Sequence, residues 1–571
     1  MAAIEKIIAV ARGKEKADIL FSQALLVNVF SGEIIETNVV VVGDTIAGIG
    51  DHYSQAHMVV DLQGKYLAPG LIDAHVHIES SMLTPAAFAR AALPHGTTSV
   101  VCDPHEIVNV AGLAGLDYMK KAAEKTPLDF HFMIPSCIPA TFLETTGAVF
   151  DSVAIWEAFK RIPTSPGLAE MMNFPGVLSA DPGVLSRIKI ALGTDRLVDG
   201  HGPMLEGADL NAYIAAGIGT DHEVTSVKEA LDKIRLGMKI IIREGSAARD
   251  LKALLPAVND KNKNEFMFGC DDLHPEHLVN RGEINHILRL AVGEGMDPVT
   301  ALQLATINSA RHYRLKRQGA IAPGYKADLV VFNNLNDFEV LEVYKNGVLT
   351  ARNGGVVQLI ESHQDERLEN TVILPEIRGK LSSIPPAADA VANVITVKSG
   401  QIITGWEKIP AGHTSVENDV LKIAVVERYG KNGGISLGMV RGFGLKKGAL
   451  ASSVAHDSHN LVVVGVEEKS METAVERVAQ MGGGIAVAEG GNILAELPLP
   501  VGGLMSYEEA ADVAEGYNKA EQQAGQMGCQ LHAPFMTMAF LTLAVIPYLK
   551  ITDIGLMDVQ TFSRVPLWER E

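Results

Sequence analysis

Leu67-Ala68-Pro69-Gly70-Leu71-Ile72-Asp73-Ala74-His75-Val76-His77-Ile78-Glu79 is an apolar run that ends in two histidines two residues apart. In a β-strand, residues i and i+2 point to the same side. His75 and His77 therefore present two imidazoles to one point just past a strand end. Neutral imidazole is a favoured ligand of divalent transition metals. The reading is a metal site at the mouth of a barrel. In a chain with 18 histidines, an H-x-H pair alone is weak. Its weight comes from Glu170, His201, His222 and Asp271. Each follows a short apolar or glycine-turn segment: Gly167-Leu168-Ala169, Leu197-Val198-Asp199-Gly200, Gly217-Ile218-Gly219-Thr220-Asp221 and Phe266-Met267-Phe268-Gly269-Cys270. Ligand-type residues at successive strand ends are what a (β/α)8 barrel site requires.

The chain around this stretch falls into strands and helices by period. Residues 1–16 read as a short amphipathic helix. Valine-rich runs at 24–29 and 39–42, each closed by a glycine, read as strands of a small β unit. From Leu71 to about Ala310, apolar runs alternate with helical segments. Helices are expected at 85–93, with Pro at the start, at 108–122 and at 226–236. Strands are expected at Thr97–Cys102, 130–134 and Lys239–Arg243. Repeated strand–helix units imply a parallel sheet, and their extent suits a barrel. Strands at 323–332 and 340–348 then complete the small β unit. Residues 382–389, with Pro385 and Pro386, read as a linker, and a separate α/β region follows. The expected fold is α/β: a small composite β-sandwich from 1–66 and 320–381, a metal-dependent (β/α)8 barrel over 67–319, and an additional C-terminal α/β domain over 390–571.

The 571 residues and 47% hydrophobic content provide for several packed domains. A net charge of −19 argues against nucleic acid as the main partner. Four widely spaced cysteines give neither a disulfide framework nor a C-x-x-C site, which fits a reduced, cytoplasmic setting. The N-terminus has no signal-peptide pattern. The longest apolar stretch, 535–549, contains Pro547 and is shorter than a membrane span needs, so it is read as a buried element. No membrane partner is expected.

Ala68-Pro69-Gly70-Leu71-Ile72-Asp73-Ala74-His75-Val76-His77 resembles the opening signature of the amidohydrolase superfamily, and Pro323-Gly324-Tyr325-Lys326-Ala327-Asp328-Leu329-Val330 its closing one. Within it, several stretches resemble the bacterial adenine deaminases: Ile78-Glu79-Ser80-Ser81-Met82, Cys102-Asp103-Pro104-His105-Glu106, Ile134-Pro135-Ser136-Cys137-Ile138-Pro139-Ala140, Glu170-Met171-Met172-Asn173 and Cys270-Asp271-Asp272-Leu273-His274-Pro275. In the C-terminal region, Ala455-His456-Asp457-Ser458-His459-Asn460 and Ala533-Pro534-Phe535-Met536-Thr537 do the same. The resemblance spans nearly the whole chain. It implies two divalent metal ions, Mn²⁺ or Fe²⁺ with Zn²⁺ as a further option. His75 and His77 would bind one ion, Glu170 would bridge both, and His201 and His222 would hold the second. Asp271 would complete the first ion's shell and move protons, with the adjacent Asp272 left open for that role. It also implies adenine as the small-molecule substrate. A homodimer is expected, and the C-terminal domain is assigned either to closing the pocket or to a dimer interface.

Deamination of adenine needs water to attack C6, and neutral water is a poor nucleophile. A metal ion lowers the pKa of bound water from 15.7 to nearer ~7, and a neighbouring carboxylate can pass its proton to the leaving amine. Asp271 is the candidate shuttle; its structural alternative is a helix N-cap. His105 and Glu106, after the second strand, are candidates to face substrate or leaving group, and Glu144 is another from the third loop. Each competes with a loop-capping role. Asp199 and Asp221 read as supporting or turn residues rather than ligands. His456 and His459 resemble a ligand pair, but nothing nearby in sequence supplies further ligands. Gly482-Gly483-Gly484 lacks the Lys-Ser/Thr of a phosphate cradle and reads as a turn. The zinc deaminases built on H-x-E with P-C-x-x-C are excluded by the missing cysteine pair, although His77-Ile78-Glu79 satisfies the first half. The nearest rival is another amidohydrolase acting on a different heterocyclic base or cyclic amide. A barrel turned scaffold should have lost ligands, and here all six positions carry one.

Overall fold

The computed structural model describes residues 3–381, 390–398 and 400–570. Eight short parallel strands form its centre: β1 (Leu71–His77), β2 (Thr97–Cys102), β3 (Asp129–Phe132), β4 (Gly167–Met171), β5 (Leu197–Gly200), β6 (Thr220–Asp221), β7 (Lys239–Arg243) and β8 (Phe266–Gly269). Most are buried along their length, which is why they read as continuous apolar runs rather than alternating ones. β1 pairs with β2 and β2 with β3. A single bridge, Ile134 to Leu168, carries the order on to β4, which pairs with β5. The Gly219 N–H donates to Val198 O at 2.9 Å and leads into β6, β7 and β8. Asp271 and Asp272 then pair with Val76 and His77 of β1, so the run of strands returns to its first member. The ends of all eight strands face one mouth.

The helices between them follow the sequence signals. Ser226 caps Val227–Arg235, its Oγ accepting from the Glu229 N–H at 3.3 Å. The helix expected at 108–122 is instead two, His105–Ala111 and Leu113–Ala123. Gly112 separates them at φ +58°, a left-handed conformation that glycine adopts without a Cβ penalty. The first helix therefore starts earlier, and His105 and Glu106 lie in its first turn. The N-terminal helix is Ile4–Ala11, shorter than the expected 1–16.

The small β unit is one continuous nine-stranded sheet assembled from both sides of the barrel. Ala17–Asn28 and Glu33–Val42 are its antiparallel early strands. Tyr66–Pro69 pairs with Leu329–Phe332, which pairs with Val340–Lys345. Val39 and Val41 enter one apolar cluster and Val40 and Val42 another, as period-two alternation dictates. This sheet ends at Val356. Beyond it the chain joins the C-terminal region: Ile373 bridges Tyr429, and Ile377 and Leu381 pack with Ala424, Val426 and Val463. The expected linker at 382–389 lies outside the described residues.

A second nine-stranded sheet runs from Ala390–Thr396 to Asn492–Pro498, with Trp568–Arg570 paired back onto its start. The apolar stretch at 535–549 supplies the buried helix Pro534–Leu541. Among the described residues, no helix is long and apolar enough to cross a membrane. The C-terminal region sits directly on the barrel mouth. The Ser506 N–H donates to Met82 O at 2.8 Å, and one apolar cluster holds Val76 and Ile107 together with Val501, Met505 and Phe535.

Candidate metal centre and active site

The pleat of β1 turns His75 and His77 to the same side, their rings edge-on at 4.8 Å. The Asp73 carboxylate accepts from the His75 N–H at 2.9 Å and fixes the strand end. Asp271 follows β8 in the left-handed region at φ +58°, which aspartate tolerates better than most residues. Its Oδ1 lies 3.5 Å from His75 Nε2 and 3.2 Å from His77 Nε2. Its Oδ2 accepts from Arg243 at 3.0 Å. Glu170, in β4, stands at the centre. One oxygen is 3.3 Å from His77 Nε2; the other is 2.7 Å from His201 Nδ1 and 3.2 Å from His222 Nε2. The His75 and His222 rings stack at 4.1 Å. All six predicted ligand-type residues thus converge, and Glu170 is common to both halves.

Asp272 is turned elsewhere, accepting from Ser80 Oγ at 2.5 Å. Asp199 and Asp221 support the site from behind. Asp199 accepts from Thr220 and Tyr313 at 2.9 Å each, and Asp221 is paired with buried Lys233 at 2.7 Å.

These residues fit a divalent metal. His77 Nδ1 is 3.1 Å from the Asp103 carbonyl, which only accepts, so Nδ1 carries the hydrogen. The Nε2 lone pair then faces two carboxylates, an arrangement that requires a cation between them. His75 Nε2 is buried with no hydrogen-bond partner among the described residues. Without an ion, protons fill that need. Burial alone would raise the Glu170 carboxyl, but His222, His201 and His77 hold it well below the usual range. Burial opposes charge on His222, yet Glu170 lifts the imidazole to about 9. His75 is the exception: burial and the neighbouring His222 push it down.

His105 and Glu106 face the same chamber from the loop after β2. His105 Nδ1 lies 3.0 Å from Asp103 Oδ2 and 3.7 Å from Glu170. Glu106 Oε1 lies 3.0 Å from Ser80 Oγ, the hydroxyl that also meets Asp272, and its carboxyl is raised, chiefly by burial. Glu144, from the third loop, is buried and held up at about 8, by burial first and Asp457 second. His456 and His459 find their missing neighbour here, 3.4 and 3.9 Å from the Glu106 oxygens. That trio does not have the character of a metal site. His459 Nδ1 accepts from the Ala455 N–H at 3.2 Å, which leaves the hydrogen on Nε2, aimed at Glu106 as a donor.

Sequence reasoning missed Asp103, Glu223, Arg243 and Asp457. Arg243, at the end of β7, joins Asp271 to Glu223 and Asp250. Its position at a strand end was the available signal.

Comparison with known proteins meets this geometry. Residues 66–350 match the model of the amidohydrolase family, and residues 396–563 match that of the adenine deaminase C-terminal domain. The chain is 46% identical to the adenine deaminase of Desulfatibacillum aliphaticivorans, over 99% of this chain and all of that one. It belongs to the adenine deaminase family of amidohydrolases. Other family members agree over the same span. The adenine deaminase of Kosmotoga olearia is 45% identical over 98% of both chains, and adenine deaminase 2 of Carboxydothermus hydrogenoformans is 44% identical over 99% of this chain and all of that one. The family's C-terminal domain is the one that covers the barrel mouth here.

Proposed function

We propose that this enzyme hydrolyses adenine to hypoxanthine and ammonia at a centre of two divalent ions, Mn²⁺ or Fe²⁺, in purine salvage or catabolism. The observation that carries the dinuclear reading is Glu170, with His77 on one oxygen and His201 and His222 on the other. His75, His77, Glu170 and Asp271 would hold one ion, and Glu170, His201 and His222 the second. When bound, the ions supply the Lewis acidity that makes water nucleophilic at neutral pH. Asp271 Oδ1 would take the proton of the attacking water as the C6–O bond forms, and then deliver it to the amine, whose C6–N bond breaks in a second step to release ammonia. Arg243 holds the other oxygen and keeps the carboxylate aimed. His105 and Glu106 face the purine. Hydrogen bonds to ring atoms give selectivity, because a wrong base leaves buried groups unpaired. The free cysteines, three of them buried, suit a cytoplasmic location.

The test is ammonia release from adenine by protein loaded with Mn²⁺ or Fe²⁺ beside a metal-free control. Metal-dependent release is expected. No release with metal bound would move the substrate to another heterocycle.

A further inference from the structure

We propose that Asp457, carried by the C-terminal domain, positions His105 inside the barrel's active site, so that the C-terminal domain is a working part of the catalytic centre. This rests on the deaminase reading above. Residues 455–460 are buried and tied down from their own side. The His456 N–H donates to Ala539 O at 3.0 Å, Thr542 Oγ1 to His456 O at 2.9 Å, and the His459 N–H to Ala455 O at 2.7 Å. They are also tied to the barrel, where Asn460 Nδ2 donates to Thr145 O at 2.8 Å. This rigid strip places Asp457 Oδ1 3.8 Å from His105 Nε2, with His456 Nδ1 3.9 Å from the same oxygen.

His105 thus has a carboxylate at each nitrogen, one from each domain. Asp103 holds Nδ1 at 3.0 Å. Asp103 alone leaves the ring free to turn about its Cβ–Cγ bond; the Asp457 carboxylate facing Nε2 would limit that turn and hold the plane of the ring beside Glu170. The separation at Nε2 is of the kind that tightens in a substrate complex. Asp457 is a poor candidate for a purely stabilising residue. It is 2% exposed, and among the described residues its Oδ2 has no hydrogen-bond partner. A buried carboxylate left half unpaired costs stability rather than adding it.

The test is a double-mutant cycle on the full-length, Mn²⁺-loaded protein, with ammonia release from adenine and bound metal both measured. Asp457→Ala is expected to lower kcat about 10–100-fold, a range typical of lost supporting contacts, with KM and metal content within about 2-fold of the parent. In a His105→Ala background the same change is expected to cost less than about 3-fold, because residues acting through one another are not additive. Asp457→Asn keeps the shape and should fall between; it replaces the alanine variant in the cycle should that one fail to fold. Equal losses in both backgrounds, an unchanged kcat, or a loss of rate that tracks a loss of metal would overturn the pairing. A wild type that releases no ammonia from adenine would instead overturn the deaminase reading on which the pairing rests, and the two failures are separate results.

Discussion

On the side of the site formed by β1, β4 to β7 and the Asp271 turn, three carboxylates have their counter-groups. Glu170 meets three imidazoles, Asp271 meets two and Arg243, and Asp221 meets Lys233. On the opposite side, built from the loops after β1 and β2 and the C-terminal strip, Glu79 Oε2, Glu106 Oε2, Asp457 Oδ2 and His459 Nε2 are buried without a hydrogen bond among the described residues, His459 Nε2 and Glu106 Oε2 facing each other at 3.9 Å. Burial raises two of these carboxyls, Glu106 and Glu79, the latter to about 8 with Glu106 adding to the effect, whereas His105 holds Asp457 below its ordinary range against burial. The first wall is complete before any substrate arrives, except for the charge an ion brings. The second keeps acceptors and a donor free, as a surface that must bind a small polar heterocycle does.

The sharpest way to break this contrast is a pair of changes within the first wall. Asp271→Asn preserves shape, and asparagine tolerates the positive φ at that position. It should lower the rate by about 10²–10⁴-fold, the span of acid–base catalysis, while most metal stays bound. Glu170→Gln should lower rate and metal content together, since one residue serves both halves. Metal analysis beside ammonia release checks both. Full activity in either variant would remove the shared-carboxylate account. A weaker effect is expected across the chamber. Glu106→Gln keeps the Ser80 contact and leaves the first wall intact, so kcat/KM should fall about 100-fold with metal content unchanged. Loss of metal in that variant would merge the two walls into one.

Much of the first wall was legible because its signals are local. His75 and His77 share a strand face by period, and Lys239–Arg243 is an apolar run whose ends the structure reproduces. The second wall was less so. Asp457 and His105 are separated by more than half the chain, and nothing in the periodicity of either segment couples them. His456 and His459 showed ligand spacing without a third ligand, because that neighbour, Glu106, comes from another domain. Gly112 sits inside an otherwise helical pattern, where an interior glycine is tolerated often enough that the pattern alone does not mark the break. Past Val356, Leu368, Ile377 and Leu381 are too sparse to announce that the chain has changed partners.

The smallest effect expected is thermal, and it tests the charge the first wall leaves open. An unfolded histidine releases its proton near ~6.5, whereas folded, metal-free His222 holds one up to about 9 under the influence of Glu170. Its contribution to stability is therefore fully present below pH ~6.5 and is lost as the pH rises through about 9. His77 and His201 are shifted in the same direction by their carboxylates. Metal ions take neutral imidazole, so a bound ion replaces those protons and removes the dependence. Thermal unfolding of metal-free protein should accordingly move to lower temperature between pH ~6.5 and 9, and by more than that of the metal-loaded protein, where the fall left is that of buried carboxyls such as Glu79 and Glu144, held up at about 8. A metal-free melting temperature that is flat over this interval would mean that the carboxylates of the first wall do not draw on these imidazoles for their charge, and the contrast between the two walls would lose its electrostatic basis.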